Sequence, residues 1–253
     1  MIFGFFDGSY DGSEPPSVIA VCGFIAPQDI WDSVDRRWRA ITENPDLPGK
    51  LTRFHAFDCV YGIGEFASWT FAERLGLWGD LVGVLIDSEL IGVSAVMICE
   101  HFFALGDAMK KRMNNPYHLL VEAVLQFGIG IVKDEGSDEK IGFIFDVENQ
   151  PIAEESHQRY LLYAQDENWR GNLAGAAQMS SFDASPLQAA DMLAYGAFRF
   201  HKQHFYPNTP DIDFPLGPAF ARLVKNIENT GGIYDAATLK KIADQITERE
   251  GIL

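Results

Sequence analysis

Two short apolar runs constrain the fold of this chain most, because each is too short for a helix and each leads into an acid. Ile2 to Phe6 precedes Asp7, and Ile141 to Phe145 precedes Asp146. Such runs predict buried β-strands. A carboxylate at the end of a buried strand lies on a rigid element at the edge of the core, where ligands and metals are commonly held. If the second strand stays extended, Asp146 and Glu148 point to one face. The alternative is that these acids are solvated residues of a loop.

Residues 7 to 13, after the first run, are predicted to form an acidic turn. The spacing of Asp7, Ser9 and Asp11 matches the first half of a calcium loop, but Val18 stands where that loop needs a bidentate Glu. This argues against an EF-hand. A phosphatase that forms an aspartyl-phosphate needs a second Asp two residues after the first, and Ser9 stands there. The structural alternative for Asp7 is a turn residue whose side chain bonds its own backbone.

A third acid interrupts the apolar face of a predicted helix. The helix is expected from Ser185 to about His204, with Ser185 as a side-chain cap and Pro186 at the first helical position. Asp191 lies on its apolar stripe, which is formed by Leu187, Ala190, Ala194, Tyr195 and Phe198. A buried carboxylate needs a cation, a metal or hydrogen-bond donors. A structural acid that accepts backbone N–H bonds therefore stays an open alternative.

Strands and helices alternate along the rest of the chain, which favours an α/β arrangement with at least part of the sheet parallel. Further strands are predicted at residues 17–26, 91–99 and 173–179, and helices at 30–42, 71–88, 115–132 and 152–169. The chain contains no strong linker, so we expect one domain over residues 1–253, with residues 206–253 as a C-terminal helical extension.

The three acids Asp7, Asp146 and Asp191 supply what a site for one or two divalent cations requires. Mg²⁺ and Mn²⁺ prefer oxygen ligands, and two ions roughly 3.5–4 Å apart can stabilise both the attacking and the leaving oxygen of a phosphodiester displacement. His55 and Asp58 form a further candidate pair. His55 could position water or phosphate at the rim of such a site or shuttle a proton. Its alternative role is that of a histidine hydrogen-bonded near the core.

Several segments together resemble a known family: Phe6-Asp7-Gly8-Ser9, Phe54-His55-Ala56-Phe57-Asp58, Phe145-Asp146 and Leu187-Gln188-Ala189-Ala190-Asp191. The chain is similar over residues 1–205 to the bacterial domain-of-unknown-function family numbered thirty-eight hundred, which is assigned to the ribonuclease H-like fold. The resemblance implies an α/β fold with a mixed β-sheet flanked by α-helices, and acids on the first strand, a central strand and a late helix. By motif position these are Asp7, Asp146 and Asp191. The first motif of the family reads Asp-Glu-Ser-Gly, so the acid at its second position is absent here, and Asp11 is a possible substitute.

The charge of the chain opposes broad contact with nucleic acid. With 36 acids and 20 bases the formal net charge is −16, so most of the surface should repel phosphates. A nucleic acid would therefore need a local basic track. The candidates are Arg36, Arg37 and Arg39; Lys110, Lys111 and Arg112; and Arg199 with Lys202. Their alternative role is that of ordinary solvated side chains.

The sequence also bears on location and redox state. The first seven residues lack a basic flank, and no apolar run reaches membrane-spanning length, so we expect a cytoplasmic protein without membrane contact. Cys22, Cys59 and Cys99 are widely spaced in apolar surroundings, which is typical of reduced core thiols.

These observations lead to two functional hypotheses. The first is a divalent-metal-dependent nuclease or related phosphodiester-cleaving enzyme, in which Asp7, Asp146 and Asp191 hold Mg²⁺ or Mn²⁺ and Glu148 or His55 assists proton transfer. The second is a catalytically inactive module that kept the fold for binding or partner recognition. The high acidity and the altered first motif favour the second hypothesis.

Overall fold

The computed structural model describes residues 1–134, 139–209 and 214–249, and within them six strands form one mixed sheet. The strands are β1 (Ile2–Tyr10), β2 (Val18–Pro27), β3 (Ile91–Ile98), β4 (Ile141–Asp146), β5 (Leu173–Met179) and β6 (Glu228–Tyr234). Their order across the sheet is β5-β4-β1-β2-β3-β6. β1, β2 and β3 are antiparallel neighbours, whereas β4 is parallel to both β1 and β5, and β6 is parallel to β3. The predicted α/β class and the partly parallel sheet are confirmed.

Helices cover both faces of this sheet. They are α1 (Gln28–Thr42), α2 (Ala56–Tyr61), α3 (Phe71–Ile86), α4 (Cys99–Phe103), α5 (Asp107–Met113), α6 (Pro116–Asp134), α7 (Gln150–Gln165), α8 (Ser185–Phe205), α9 (Gly217–Asn226) and α10 (Ala236–Arg249). One apolar core lies between the sheet and α1, α3, α8 and α9, and a second lies under α6, α7 and α10. Because strand side chains alternate, Phe5 belongs to the first core and Phe6 to the second.

The first strand is longer than its apolar run, so the predicted turn at residues 7–13 is wrong in its first half. Asp7 to Tyr10 continue β1, because they pair with β2 from Cys22 to Ile19. The parallel ladder with β4 stops earlier, at Phe6 opposite Phe145. β1 therefore extends beyond the end of β4, and Asp7 lies within β1 at the level where β4 ends.

Most predicted helices and strands are found with small shifts at their ends. The helix predicted to reach Trp169 ends at Gln165. The capping role of Ser185 is also wrong, since extended Ala184 (φ −137°, ψ 103°) is the residue before α8 and Ser185 belongs to its first turn. The backbone geometry at Ala184 thus begins α8 without a side-chain cap.

The C-terminal extension is helical only in part. Between α9 and α10 lies β6, which extends the sheet beyond β3. Gly231 allows this close pairing, because a Cβ there would lie 2.2 Å from the backbone oxygen of Ser94. A strand is predicted from alternating apolar and polar residues, and the two adjacent glycines in β6 interrupt that alternation. The sequence pattern therefore does not predict β6.

Two further expectations concern exposure to other environments. All three cysteines are buried and free of disulfides, as predicted, and burial raises the pKa of each thiol to about 12. Across the ranges that the structure describes, none of the helices has both the length and the apolarity needed to cross a bilayer.

Candidate functional site

A cleft of about 500 Å³ opens where β4 ends beside β1, and the predicted acids line it. Asp7 on β1 and Asp146 on β4 follow paired residues of adjacent parallel strands, so they stand at the same level of the sheet. Both alternate onto the face that α8 covers, as do Phe5 and Ile144. Asp191 faces them from α8. The structure therefore brings together three acids that are distant in sequence.

The three carboxylates are buried, with 9%, 4% and 7% of Asp7, Asp146 and Asp191 exposed. Each accepts a nearby backbone N–H. Gly8 donates to Asp7 over 2.6 Å, Glu148 donates to Asp146 over 2.9 Å, and Ala56 donates to Asp191 over 2.7 Å. The structural role considered for Asp191 is thus present, because this bond satisfies the first N–H of α2.

Burial and mutual repulsion make these carboxylates reluctant to ionise. Burial raises the pKa of Asp7 well above its ordinary value, and the charges of Asp191 and Asp146 raise it further. Burial likewise raises the pKa of Asp146. It raises the pKa of Asp191 to about 6, although His55 and the Ala56 N–H partly oppose the shift. A cation in the cleft would relieve this repulsion.

The raised pKa of Asp191 predicts a pH-dependent gain in stability for Asp191→Asn. Between the ordinary value of 3.8 and about 6, folded Asp191 holds a proton that the unfolded chain releases, so rising pH destabilises the parent protein. Asparagine does not titrate and still offers an acceptor to Ala56. We expect the variant to gain on the order of 2 kcal/mol relative to the parent between about pH 4 and pH 7. Urea unfolding of both proteins without divalent cations measures this difference, and a difference that does not change with pH would contradict the prediction.

The chemistry of these residues suits a divalent cation, although their present arrangement does not form a metal site. Within the described residues, no group of three or more His, Cys, Asp or Glu side chains is already arranged to hold a metal ion. The donor chemistry nevertheless suits a hard cation, since three carboxylates face one cleft. Asn149 adds a buried Oδ1 in the same cleft that has no hydrogen-bond partner in the described part of the chain. The ligand types therefore fit Mg²⁺ or Mn²⁺.

Glu148 also lines the cleft, but it does not lie on an extended strand as predicted. β4 ends at Asp146, so Glu148 lies in the following turn and not on an extended strand. Its carboxylate pairs with Arg53 over 2.5 Å. Partial burial raises the pKa of Glu148, but hydrogen bonds from Arg53 and Ser180 outweigh this and lower it. Glu148 is therefore held as a charged partner of Arg53.

His55 lies at the rim of the cleft, immediately before α2. Its side chain is 37% exposed, and its Nδ1 is 3.2 Å from a carboxylate oxygen of Asp58, in an orientation outside hydrogen-bond geometry. His55 and Asp58 thus lie next to each other, as predicted, and the imidazole ring of His55 is not enclosed in the core. A rim position suits a group that exchanges protons with solvent.

Of the predicted basic residues, Arg199 and Lys202 line the cleft. Three of the others pair with acids elsewhere: Arg37 with Asp87, Arg39 with Asp35 and Lys110 with Asp107. The cleft gains Arg53, which carries no pattern in the sequence. Arg53 and Lys202 form ion pairs with Glu148 and Asp11, and not with the three buried acids.

The structure accounts for the glycine at the second motif position. A Cβ on Gly8 would lie 1.8 Å from Ile152 and 2.5 Å from Asn149, so a glutamate there would displace both side chains. Asp11 lines the cleft but is 2.9 Å from Lys202. Partial burial raises its pKa, yet hydrogen bonds from Ser13, Ser17 and Lys202 outweigh this and lower it to about 2.

Gln188 organises the loop that carries Arg53 and His55. Its Oε1 accepts from Trp38 Nε1 over 2.9 Å and from Phe54 N over 3.0 Å, and its Nε2 donates to Ser181 O over 2.8 Å. The sequence resemblance includes Gln188 in its Gln-Ala-Ala-Asp segment but implies no role for it. The available signal was a second polar residue on the buried face, one helical turn before Asp191.

Comparison with known proteins adds no family to this geometry. No protein-family model matches the sequence, and no curated protein matches it significantly.

Proposed function

We propose that this chain is a divalent-metal-dependent nuclease or related phosphodiester-cleaving enzyme of the ribonuclease H-like superfamily. The observation that carries the proposal is the convergence of Asp7, Asp146 and Asp191, buried and mutually repelling, on one open cleft. Clustered acids with raised pKa values in a cleft are typical of functional sites. Burying three carboxylates beside one another destabilises the fold. A bound cation would offset this cost, whereas a purely structural role would not.

The arrangement of the sheet supports the same proposal. The mixed sheet has helices on both faces and carries its acids on the first strand, on a central strand and on a late helix. This is the arrangement that the family resemblance implies. At the altered second motif position, the side-chain ends of Ile152 and Asn149 occupy the space that a side chain on Gly8 would enter.

The side chains of the cleft would have different roles in the proposed reaction. Asp7, Asp146 and Asp191 would hold Mg²⁺ or Mn²⁺, with Asn149 Oδ1 as a further oxygen donor. When bound, such a cation supplies positive charge against the charge that develops on the phosphodiester oxygens. His55 is better placed than Glu148 to move a proton, because Glu148 is held by Arg53. Arg53 holds Glu148 in place through this ion pair.

A specific observation favours the alternative, a non-catalytic binding module. Asp191 already accepts the first N–H of α2, and the described residues contain no preformed metal group. In that case the acids would be structural, and the cleft would bind a partner without chemistry.

Divalent cations are expected to raise the melting temperature of the parent protein. Millimolar Mn²⁺ should stabilise it by RT ln(1 + [L]/Kd), which is about 2.7 kcal/mol at 100 times Kd. Asp7→Asn should lose this gain, because one ligand and one charge are removed. The measurement is differential scanning fluorimetry with and without Mn²⁺ at constant ionic strength, above about pH 7 so that Asp191 is ionised.

Asp80→Asn is the matched control, since Asp80 is exposed on α3 and outside the cleft. It should respond to Mn²⁺ as the parent does. A parent protein without any response to Mn²⁺ or Mg²⁺ would contradict the enzyme and favour the binding module. Equal responses of the parent and Asp7→Asn would place the cation elsewhere and would also contradict the proposal.

A further inference from the structure

One rim of the cleft carries two exposed aromatic rings on the short helix α2. Phe57 and Tyr61 are 43% and 42% exposed, and both line the cleft. They are four residues apart, so they stand on the same side of the helix, with ring centroids 4.7 Å apart. A third exposed ring, Tyr10, lines the cleft from the end of β1. Large apolar rings that remain exposed around a polar cleft indicate a contact surface for a ligand.

Buried side chains of α8 hold the two rings of α2 in place. Arg199 Nη1 donates to the hydroxyl of Tyr61 over 2.5 Å. Phe57 meets Tyr195 edge to face, with centroids 6.2 Å apart. Since Tyr195 and Arg199 are both buried, the rings are fixed before any ligand arrives. A preordered surface loses little conformational entropy on binding.

The charges around the cleft argue against a duplex as its ligand. A duplex presents one negative charge per about 1.7 Å of its axis and is held mainly by arginine and lysine contacts to phosphates. Here Arg53 and Lys202 are ion-paired to Glu148 and Asp11, and the whole chain has a net charge of −16. Stacking on aromatic rings, by contrast, needs unpaired bases and contributes about 1–3 kcal/mol per base.

We propose that the cleft takes single-stranded nucleic acid and that its bases stack on Phe57 and Tyr61 while the backbone passes the buried acids. This inference rests on the proposed phosphodiester-cleaving function and names its substrate class. Binding comes chiefly from base stacking, and the few cations of the cleft position the backbone.

Fluorescence anisotropy tests this proposal in EDTA, so that binding is separated from metal-dependent cleavage. The probes are fluorescein-labelled DNA and RNA strands of about 12 nucleotides and the duplexes formed from them. We expect at least one single strand to bind more tightly than its duplex. Phe57→Ala should weaken that binding about tenfold, and Phe57→Trp should retain it because an aromatic face remains. Phe103→Ala removes an equally exposed ring on α4, outside the cleft, and should leave binding unchanged.

Salt dependence gives a second reading. With one to three phosphate contacts to a single strand, the slope of log Kd against log salt should not exceed about 2. Tighter binding of duplex, equal losses in Phe57→Ala and Phe103→Ala, or no binding of either strand would overturn the proposal. Failure of the proposed cleavage activity would give a distinguishable result. Single strands would still bind through Phe57 in EDTA, but Mn²⁺ would produce no cleavage.

Discussion

Replacing Asp191 with asparagine is expected to lower the rate of Mn²⁺-dependent phosphodiester cleavage by about 10³-fold, equivalent to about 4 kcal/mol. Asp191 is one of three buried carboxylates in the cleft, and the neutral amide would not balance the charge of a cation there. The backbone bond to Ala56 can persist, because asparagine keeps an acceptor oxygen. The loss should therefore be one of catalysis and not of folding.

Cleavage of a labelled single strand, followed under single-turnover conditions, measures this effect. Asp80→Asn should cleave at the parental rate, because Asp80 is remote from the cleft. The Asp191→Asn protein should also melt no lower than the parent in EDTA above about pH 7, because it lacks a buried charge. Parental cleavage by Asp191→Asn would remove Asp191 from the site. Equal loss in Asp80→Asn would show that the measured activity does not come from this cleft.

Replacing Gln188 with alanine is expected to cost about 3 to 5 kcal/mol of unfolding free energy, the largest stability effect that we predict. The amide of Gln188 serves Trp38 Nε1, Phe54 N and Ser181 O, all within 3.0 Å. Alanine would leave these groups without their partner in a buried region, and each unsatisfied group costs about 1–3 kcal/mol. The loop that carries Arg53 and His55 should loosen with it.

Gln178 offers a matched control for this substitution. Its side chain also donates to a backbone oxygen, that of Ala153 over 2.6 Å, but it lies on the exposed strand β5. Gln178→Ala should cost less than about 1 kcal/mol, since water can replace its partner. Chemical denaturation of the three proteins compares them directly. A cost for Gln188→Ala as small as that for Gln178→Ala would show that the buried network contributes little.

Local sequence pattern predicted the strands and helices whose apolar residues recur regularly. The runs that became β1 and β4 were recognisable because they are short and apolar. The continuation of β1 through Asp7 to Tyr10 was not recognisable, since it depends on pairing with β2. β6 was hidden for a related reason. Its glycines remove the alternation of side chains, and its position is decided by contact with β3.

The acids of the site were predictable for the opposite reason, because they interrupt apolar patterns. Asp191 stands on the buried stripe of α8, and Asp7 and Asp146 directly follow apolar runs. Arg53 gave no such signal. Gln188 interrupts the buried face of α8 as Asp191 does, but this does not show which groups it contacts. Arg53 pairs with Glu148, 95 residues away, and Gln188 accepts from Phe54 and Trp38, 134 and 150 residues away, so only the folded chain identifies these partners. The same holds for the convergence of the acids, which depends on strand register and on the packing of α8.

The continuous burial of α8 from Ser185 to Arg199 limits how this protein can diverge. Residues that fill the core and the acid that faces the cleft share one helix, so a substitution that shifts Asp191 also disturbs packing against the sheet. The exposed faces of Phe57 and Tyr61 on α2 lie outside this core. Substitutions on these exposed faces can therefore change the rim of the cleft while the three buried acids and the packing of α8 stay as they are.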